Sequence, residues 1–376
     1  MWSNIIGQKR VISVLRSIHA SGRIPHSFIF HGIEGVGKDA AAIEFAKLIN
    51  CDSPDEEKGA CDECKYCRQT NTLNSSIFKF VTALPASRKE TDDGDNPVAG
   101  LSETDAEILS AELKKKSEDY YYKLNVPKAN TIRIDSIRQI RKEIYLTPDR
   151  GKKKIFLISG ADLMNPNSEN AFLKILEEPP GDAVIILTTS KVNSLLPTVI
   201  GRCQKIKFDS ISNADLLSFL KSYTDDVSDE EMNLLVNIAN GSLQKLKSIV
   251  NDNFLVLRDR VVDYLRAVIM NNQPGVSNII SSIVSPKDRE LVRQFLYLMI
   301  LWFRDIIIAR SSNDRIVINR DRLDSVSKFS AKYKSDEFEI INLLETCISD
   351  IDRNVNTEIM LYNFTYNLRE LIRTRQ

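Results

Sequence analysis

Two groups of residues in this chain have the types and spacing to do chemistry. The first is Gly32-Ile33-Glu34-Gly35-Val36-Gly37-Lys38, which follows the apolar run Phe28-Ile29-Phe30 and precedes a helical stretch from Asp39 to Asn50. In that context glycines let backbone N–H groups converge on phosphate oxygens, the helix N-terminus adds positive potential, and the lysine reaches the outer phosphates. Gly32, Gly35, Gly37 and Lys38 are therefore the candidate nucleotide-binding residues. Hydrolysis needs two further parts, a hydroxyl after the lysine to ligate Mg²⁺ and an acid at the end of a second apolar strand. Asp39 stands where the hydroxyl belongs, and the strand Lys154 to Ile158 ends in Ser159-Gly160. A carboxylate can bind a metal, but it also sets negative charge beside phosphates. Asp162 lies further along and is expected to cap the segment that follows. The loop reads as a nucleotide-binding architecture that does not hydrolyse; whether ATP or ADP still binds stays open.

The second group is Cys51, Cys61, Cys64 and Cys67, spaced C-x9-C-x2-C-x2-C. Four soft thiolates at that spacing suit a closed tetrahedral Zn²⁺ site, a staple for a surface excursion with no core of its own. A redox dithiol leaves two cysteines unexplained, and a catalytic zinc needs an open position. Cys203 and Cys347 stand apart and are expected to be buried thiols.

These groups need elements to hold them. Short apolar runs at Phe28–Phe30, Ile77–Val81, Ile155–Ile158, Val184–Leu187 and Ile206–Phe208 alternate with helical segments. Continuous rather than alternating apolar character marks parallel strands covered by helices on both faces, an α/β layered domain ending near residue 208. Asn165 and Pro166 open a helix whose Ala171, Phe172, Ile175 and Leu176 face the core, and Pro179-Pro180 ends it. Beyond 208 the pattern is helical, with a turn at Asn240-Gly241-Ser242 and long helices at Leu291–Ala309 and Glu337–Asp352.

The stretch 86–130 interrupts the layered pattern. Thr91 to Pro97 has loop composition, and Glu103 to Tyr122 is expected to be a charged, exposed helix without chemistry. Helix 135–144 points Ile137, Ile140 and Ile144 inward and Arg138, Arg141 and Lys142 outward, either a phosphate-contacting face or a solvated one. Among 376 residues, 51 basic side chains balance 51 acidic ones, so a nucleic-acid surface would have to be a local patch. Arg304 and Asp305 break the most apolar stretch, which excludes a membrane span. The start at Met1-Trp2-Ser3-Asn4 lacks the pattern of a signal peptide, and a cytoplasmic location is expected.

Taken in order, Ile6-Gly7-Gln8, His26-Ser27-Phe28, the phosphate loop, the four cysteines, Asn170 to Pro180 and Leu196-Pro197-Thr198…Arg202-Cys203 resemble bacterial clamp-loader subunits of the AAA+ class. The resemblance implies an AAA+ domain at 1–208, with a zinc module at 51–67 and an insertion at 86–130. A helical lid at 209–251 and an all-α collar at 252–376 would follow. In that family an arginine of a Ser-Arg-Cys motif projects toward the ATP of a neighbouring subunit, and Arg202 matches it, although Gly201 replaces the serine. Thr189 or Ser190 falls at a phosphate-sensing position, with strand-end capping as the alternative. Gln244 stands where the lid carries a sensing arginine. A retained trans arginine beside a degraded nucleotide site matches the non-hydrolysing member of the loader; an ATP-hydrolysing gamma/tau-type subunit is the alternative. The implied partners are gamma/tau and delta subunits in a hetero-pentameric ring, with the sliding clamp and primer-template DNA reached through the complex. A nucleotide kinase would leave the cysteines and Arg202 unexplained.

Overall fold

The structure, a computed structural model, describes residues 1–86, 96–149, 151–224, 227–251, 254–284, 289–311, 317–353 and 355–374. Most of the expected loop at Thr91–Pro97 lies outside these residues. The chain forms two compact units, Met1–Asp225 with Ala239–Lys247, and Asp226–Ile238 with Ser248–Gln376. The stretch 209–251 accordingly contributes to both.

The first unit is built on strands β1 (Ser27–His31), β2 (Phe78–Val81), β3 (Lys154–Ser159), β4 (Ala183–Thr189) and β5 (Gln204–Lys207). All are parallel, in the order β2-β3-β4-β1-β5. The apolar runs of β1, β3 and β4 are continuous because these central strands bury both faces, whereas the edge strands β2 and β5 are only partly buried. Helices α5 (Ile134–Ile144) and α6 (Pro166–Glu177) cover one face, where Ile137, Ile140, Phe172 and Ile175 meet Ile29, Phe156, Ile158, Ile185 and Leu187. On the other face Phe28 packs edge-on against Phe45 of α2 (Lys38–Asn50), and Phe30 meets Phe208. The remaining helices of this unit are α1 (Lys9–Ala20), α3 (Lys65–Asn71), α4 (Glu103–Glu118), the short α7 (Pro197–Ile200) and α8 (Asn213–Tyr223). Helices α9 (Asp229–Ala239) and α10 (Leu243–Asn251) straddle the division between units.

As expected, Asn165 caps α6, accepting the Ser168 N–H with Pro166 in the first turn. The Asn240-Gly241 turn places both residues at positive φ.

The second unit is dominated by α11 (Phe254–Ile269), α12 (Gln273–Ile283), α13 (Glu290–Arg310), α14 (Leu323–Lys332), α15 (Glu337–Asp352) and α16 (Thr357–Leu371). A short antiparallel pair, β6 (Tyr333–Ser335) with β7 (Ile372–Thr374), accompanies them. Arg304 and Asp305 interrupt the apolar face of α13; Asp305 is fully buried and accepts the N–H groups of Ile318 and Asn319 and the Asn319 amide. No helix among the described residues is long and apolar enough to cross a membrane.

Candidate functional site

The carboxyl ends of β1, β3 and β4 converge at the start of α2. Open α/β sheets bind ligands at such a place, where strand order switches and a helix N-terminus points at the crevice. Gly35 and Gly37 hold φ of 79° and 93°, the left-handed conformation that a phosphate-cradling loop requires. Lys38 does not project into the crevice. Its Nζ donates to the carbonyls of Gly32 at 2.9 Å and Ile33 at 2.7 Å, within the loop itself.

Asp39 is the centre of the site. Its carboxylate accepts the Ser159 hydroxyl at 2.8 Å and the Thr188 hydroxyl at 2.6 Å, and pairs with Lys116 Nζ at 3.2 Å. Burial opposes its charge, but Lys116 and the two hydroxyls outweigh that and hold the carboxyl below its ordinary range. Carboxylate and hydroxyl have thus exchanged their usual places: the acid stands on the helix and the hydroxyl at the end of β3. Thr188 and Ser159 lie at one level because β3 and β4 pair in register there.

Lys116 comes from the insertion, and here the structure overturns an expectation. Helix α4 is no exposed, inert helix, since Leu109, Glu112 and Lys116 are buried along one face. The segment after it lies on the phosphate loop. Tyr121 Oη accepts the Ile6 N–H at 3.1 Å, and Lys123 pairs with Glu34 at 2.7 Å. A Cβ added to Gly37 would come 2.5 Å from Tyr121 Oη. The spacing 109, 112, 116 was the available signal, but with one apolar residue among three it read as a solvated face.

Other positions also depart from expectation. Asp162 caps no helix; it accepts the Thr189 hydroxyl at 2.6 Å, which engages one of the two candidate phosphate-sensing residues. Cys347 is buried, but Cys203 is only half-buried. Gln244 approaches the loop through its backbone, with its N–H and that of Leu243 directed at the Gly35 carbonyl. On α5, Ile137, Ile140 and Ile144 are buried, Arg141 and Lys142 exposed, and Arg138 half-buried.

The four cysteines converge, with Sγ atoms all within 4.8 Å of one another. That donor set fits one tetrahedral ion of the Zn²⁺ type. Backbone N–H groups of Cys64 and Glu63 bring the Cys61 thiol down to about 7, whereas burial pushes Cys67 and Cys51 up. The module is tied to α2 by a buried ion network. Lys47 Nζ reaches Glu44 at 2.8 Å and Asp62, between two of the cysteines, at 2.5 Å. The Tyr120 hydroxyl lies 3.3 Å from the same ammonium.

Arg202 stands on a different surface from the loop residues. Its guanidinium is 39 % exposed, pairs with Glu177 at 3.1 Å and donates to the Thr198 carbonyl at 3.1 Å. Its backbone is held in place, because the Ser27 hydroxyl donates to the Arg202 carbonyl at 2.8 Å. Upstream, buried Glu169 accepts the Leu196 N–H at 3.1 Å.

A five-stranded parallel sheet with a phosphate loop after β1, cysteines beyond α2 and helices at the C-terminal end define a AAA+-type P-loop protein. Within that class the chain belongs to the family described as "DNA polymerase III, delta subunit", whose profile matches residues 7–212. It is similar to the DNA polymerase III subunit delta' of Bacillus subtilis, 25 % identical over 367 residues and 96 % of each chain. The delta' subunit of Pseudomonas aeruginosa is 26 % identical over 72 % of this chain and 65 % of its own. The tau subunit of Bacillus subtilis is 24 % identical over 66 % of this chain but only 37 % of its own. Among solved structures, a DNA polymerase III gamma subunit-related protein of Thermotoga maritima aligns with a TM-score of 0.46 and 14 % identity, covering 96 % of this chain and 99 % of that one.

Proposed function

We propose that this chain is a delta'-type, non-hydrolysing subunit of a bacterial DNA polymerase III clamp loader. It occupies one place in a hetero-pentameric ring with gamma/tau and delta subunits, and it presents Arg202 to the ATP held by a neighbour. That ring opens the sliding clamp and loads it on primer-template DNA. The observation that carries the reading is the contrast between the two sites. Lys38 and Asp39 are engaged by the protein's own groups, while the Arg202 guanidinium is exposed on an anchored backbone.

The chemistry follows from what each side chain can do. A guanidinium supplied from outside stabilises charge developing on a transferred phosphoryl group, and its planar fork suits phosphate oxygens. Glu177 is a surface partner at 52 % exposure, so releasing Arg202 from it costs about 0–1 kcal/mol. This chain's own loop has neither a hydroxyl after Lys38 nor an acid at the end of β3, so it lacks the means to position Mg²⁺ and water. Cys51, Cys61, Cys64 and Cys67 hold a structural Zn²⁺. Residues 209–251 and 252–376 serve as lid and collar, and Arg138 and Arg141 of α5 face DNA phosphates within the ring.

The test is a reconstituted loader with clamp and primed DNA. Arg202→Ala removes hydrolysis at the one site it faces, a loss of about 10³-fold there, and so lowers the ATPase of the ring, whereas Lys38→Ala leaves it nearly unchanged. The opposite pattern, with ATP hydrolysis by the isolated chain that Lys38→Ala abolishes, sinks this reading and establishes the gamma/tau type.

A further inference from the structure

The segment from Lys116 to Lys123 meets the phosphate loop and the start of α2 at Glu34, Gly37 and Asp39. Lys116, 4 % exposed, places its ammonium at the carboxylate of Asp39, where the hydroxyls of Ser159 and Thr188 also converge. In a working loop this gathering of oxygens beside the lysine is where a divalent cation balances phosphate charge. Here the chain supplies the cation itself. The phenol of Tyr121 covers the face of Gly37 and takes the Ile6 N–H, and Lys123 reaches Glu34 at the loop's outer turn.

The segment is built as a rigid body. Buried Glu112 accepts the Tyr122 hydroxyl at 2.9 Å and the Asn125 N–H at 2.6 Å, folding the chain back on α4. Lys116 Nζ also donates to the Tyr122 carbonyl at 2.8 Å. Asp119 accepts the Tyr121 and Tyr122 N–H groups, through side chain and backbone in turn, and pairs with Lys247 at 2.8 Å. The Lys247 ammonium lies 5.5 Å from the Tyr121 ring centre, on the cation–π side of the same turn. These contacts order the turn independently of the loop it covers, so little entropy is lost in seating it.

We infer that residues 116–123 are a tethered occupant of the nucleotide site, with Lys116 in place of the divalent cation and Tyr121 over the phosphate cradle, and that this segment keeps ATP and ADP out. The inference builds on the reading of this chain as a non-hydrolysing subunit and gives it a physical cause. The loop geometry is intact, with its glycines in the left-handed region. Exclusion comes from an intramolecular competitor, which the chain holds at the loop at an effective concentration on the order of millimolar or above.

Binding of mant-ADP and mant-ATP with MgCl₂ to the full-length protein tests this, with ATP hydrolysis measured in the same samples. The variants are Tyr121→Ala, Lys116→Met and Asp39→Asn/Lys116→Met; the last removes the charge that would face phosphate. The unaltered protein shows no saturable binding up to about 1 mM, and the double variant and Tyr121→Ala gain at least about tenfold. If no variant gains binding, the inference fails while the non-hydrolysing reading stands. If the unaltered protein binds as tightly as the variants, the inference fails, and accompanying hydrolysis removes the non-hydrolysing reading too. Hydrogen exchange on the unaltered protein decides the matter if a variant does not fold. The Ile6 amide, which donates to Tyr121 Oη across the contact, exchanges slowly when the segment is seated, and a free-peptide rate there overturns the inference.

Discussion

Lys47 offers a sharp test of the energetics that join the phosphate-loop helix to the cysteine module. Its ammonium is buried between Glu44 at 2.8 Å and Asp62 at 2.5 Å. Removing one partner of a buried pair strands the other charge and costs about 3–5 kcal/mol. Two features reduce that figure for Lys47→Met. Glu44 keeps the Asn4 amide at 2.7 Å and the Met1 amino group at 2.6 Å, and Asp62 is 27 % exposed and keeps the same amino group at 2.8 Å. The expected loss is therefore roughly 2–3 kcal/mol, below the full penalty.

Burial works against the charge of Lys47, but Glu44, Tyr120 and Asp62 more than offset it and raise its pKa above the ordinary 10.5. A raised lysine contributes stability that is fully present below its unfolded value and lost as pH climbs through the folded one. The difference between unaltered protein and Lys47→Met is thus constant at neutral pH and shrinks only in strong alkali. The assay is urea unfolding followed by tryptophan fluorescence. The chain has two tryptophans, Trp2 in the first unit and Trp302 in the second, so a Trp302→Phe background reports the first unit alone. Glu44→Gln/Lys47→Met should recover much of the loss, because removing both charges leaves less stranded. A cost under about 1 kcal/mol, or a double variant as unstable as the sum of the singles, refutes the account.

Two further outcomes are expected. Purified protein carries one zinc ion for its four clustered thiols, and Cys64→Ser abolishes it by metal analysis; because binding energy of a structural zinc is folding energy, strong chelators also lower the unfolding midpoint of the first unit. In the second unit Asp305→Ala leaves the N–H groups of Ile318 and Asn319 and the Asn319 amide without their acceptor, which costs about 3 kcal/mol or more in urea unfolding read by Trp302. A loss there under about 1 kcal/mol would mean that water replaces the carboxylate.

Much of this protein was legible from residue types in order. Glycines at 32, 35 and 37 before Lys38, the C-x9-C-x2-C-x2-C spacing and the capped helix from Pro166 are local patterns, and local physics is enough to place them. Continuous apolar strands likewise announced a sheet buried on both faces, and the structure shows Phe28 and Ile29 on opposite sides of it. Arg202 was singled out as a candidate by its neighbours in sequence, yet its anchorage through Ser27, 175 residues away, appears only once β1 and the segment before β5 are side by side.

The centre of the site was decided by tertiary structure. Sequence alone marked Asp39 and Ser159 as departures from the residues a hydrolysing loop carries, each read as a separate loss. Folding brings them within 2.8 Å, where each is the other's partner, and adds Thr188 from β4. It also delivers Lys116 from a helix whose charge pattern resembled any solvated surface. No periodicity predicts such a meeting, because the pairing is fixed by how an insertion folds back over the sheet and by the high cost of burying either charge alone. The sequence determined that this phosphate loop has Asp39 in place of a hydroxyl and Ser159 in place of an acid; only the three-dimensional arrangement shows that these residues meet each other and Lys116.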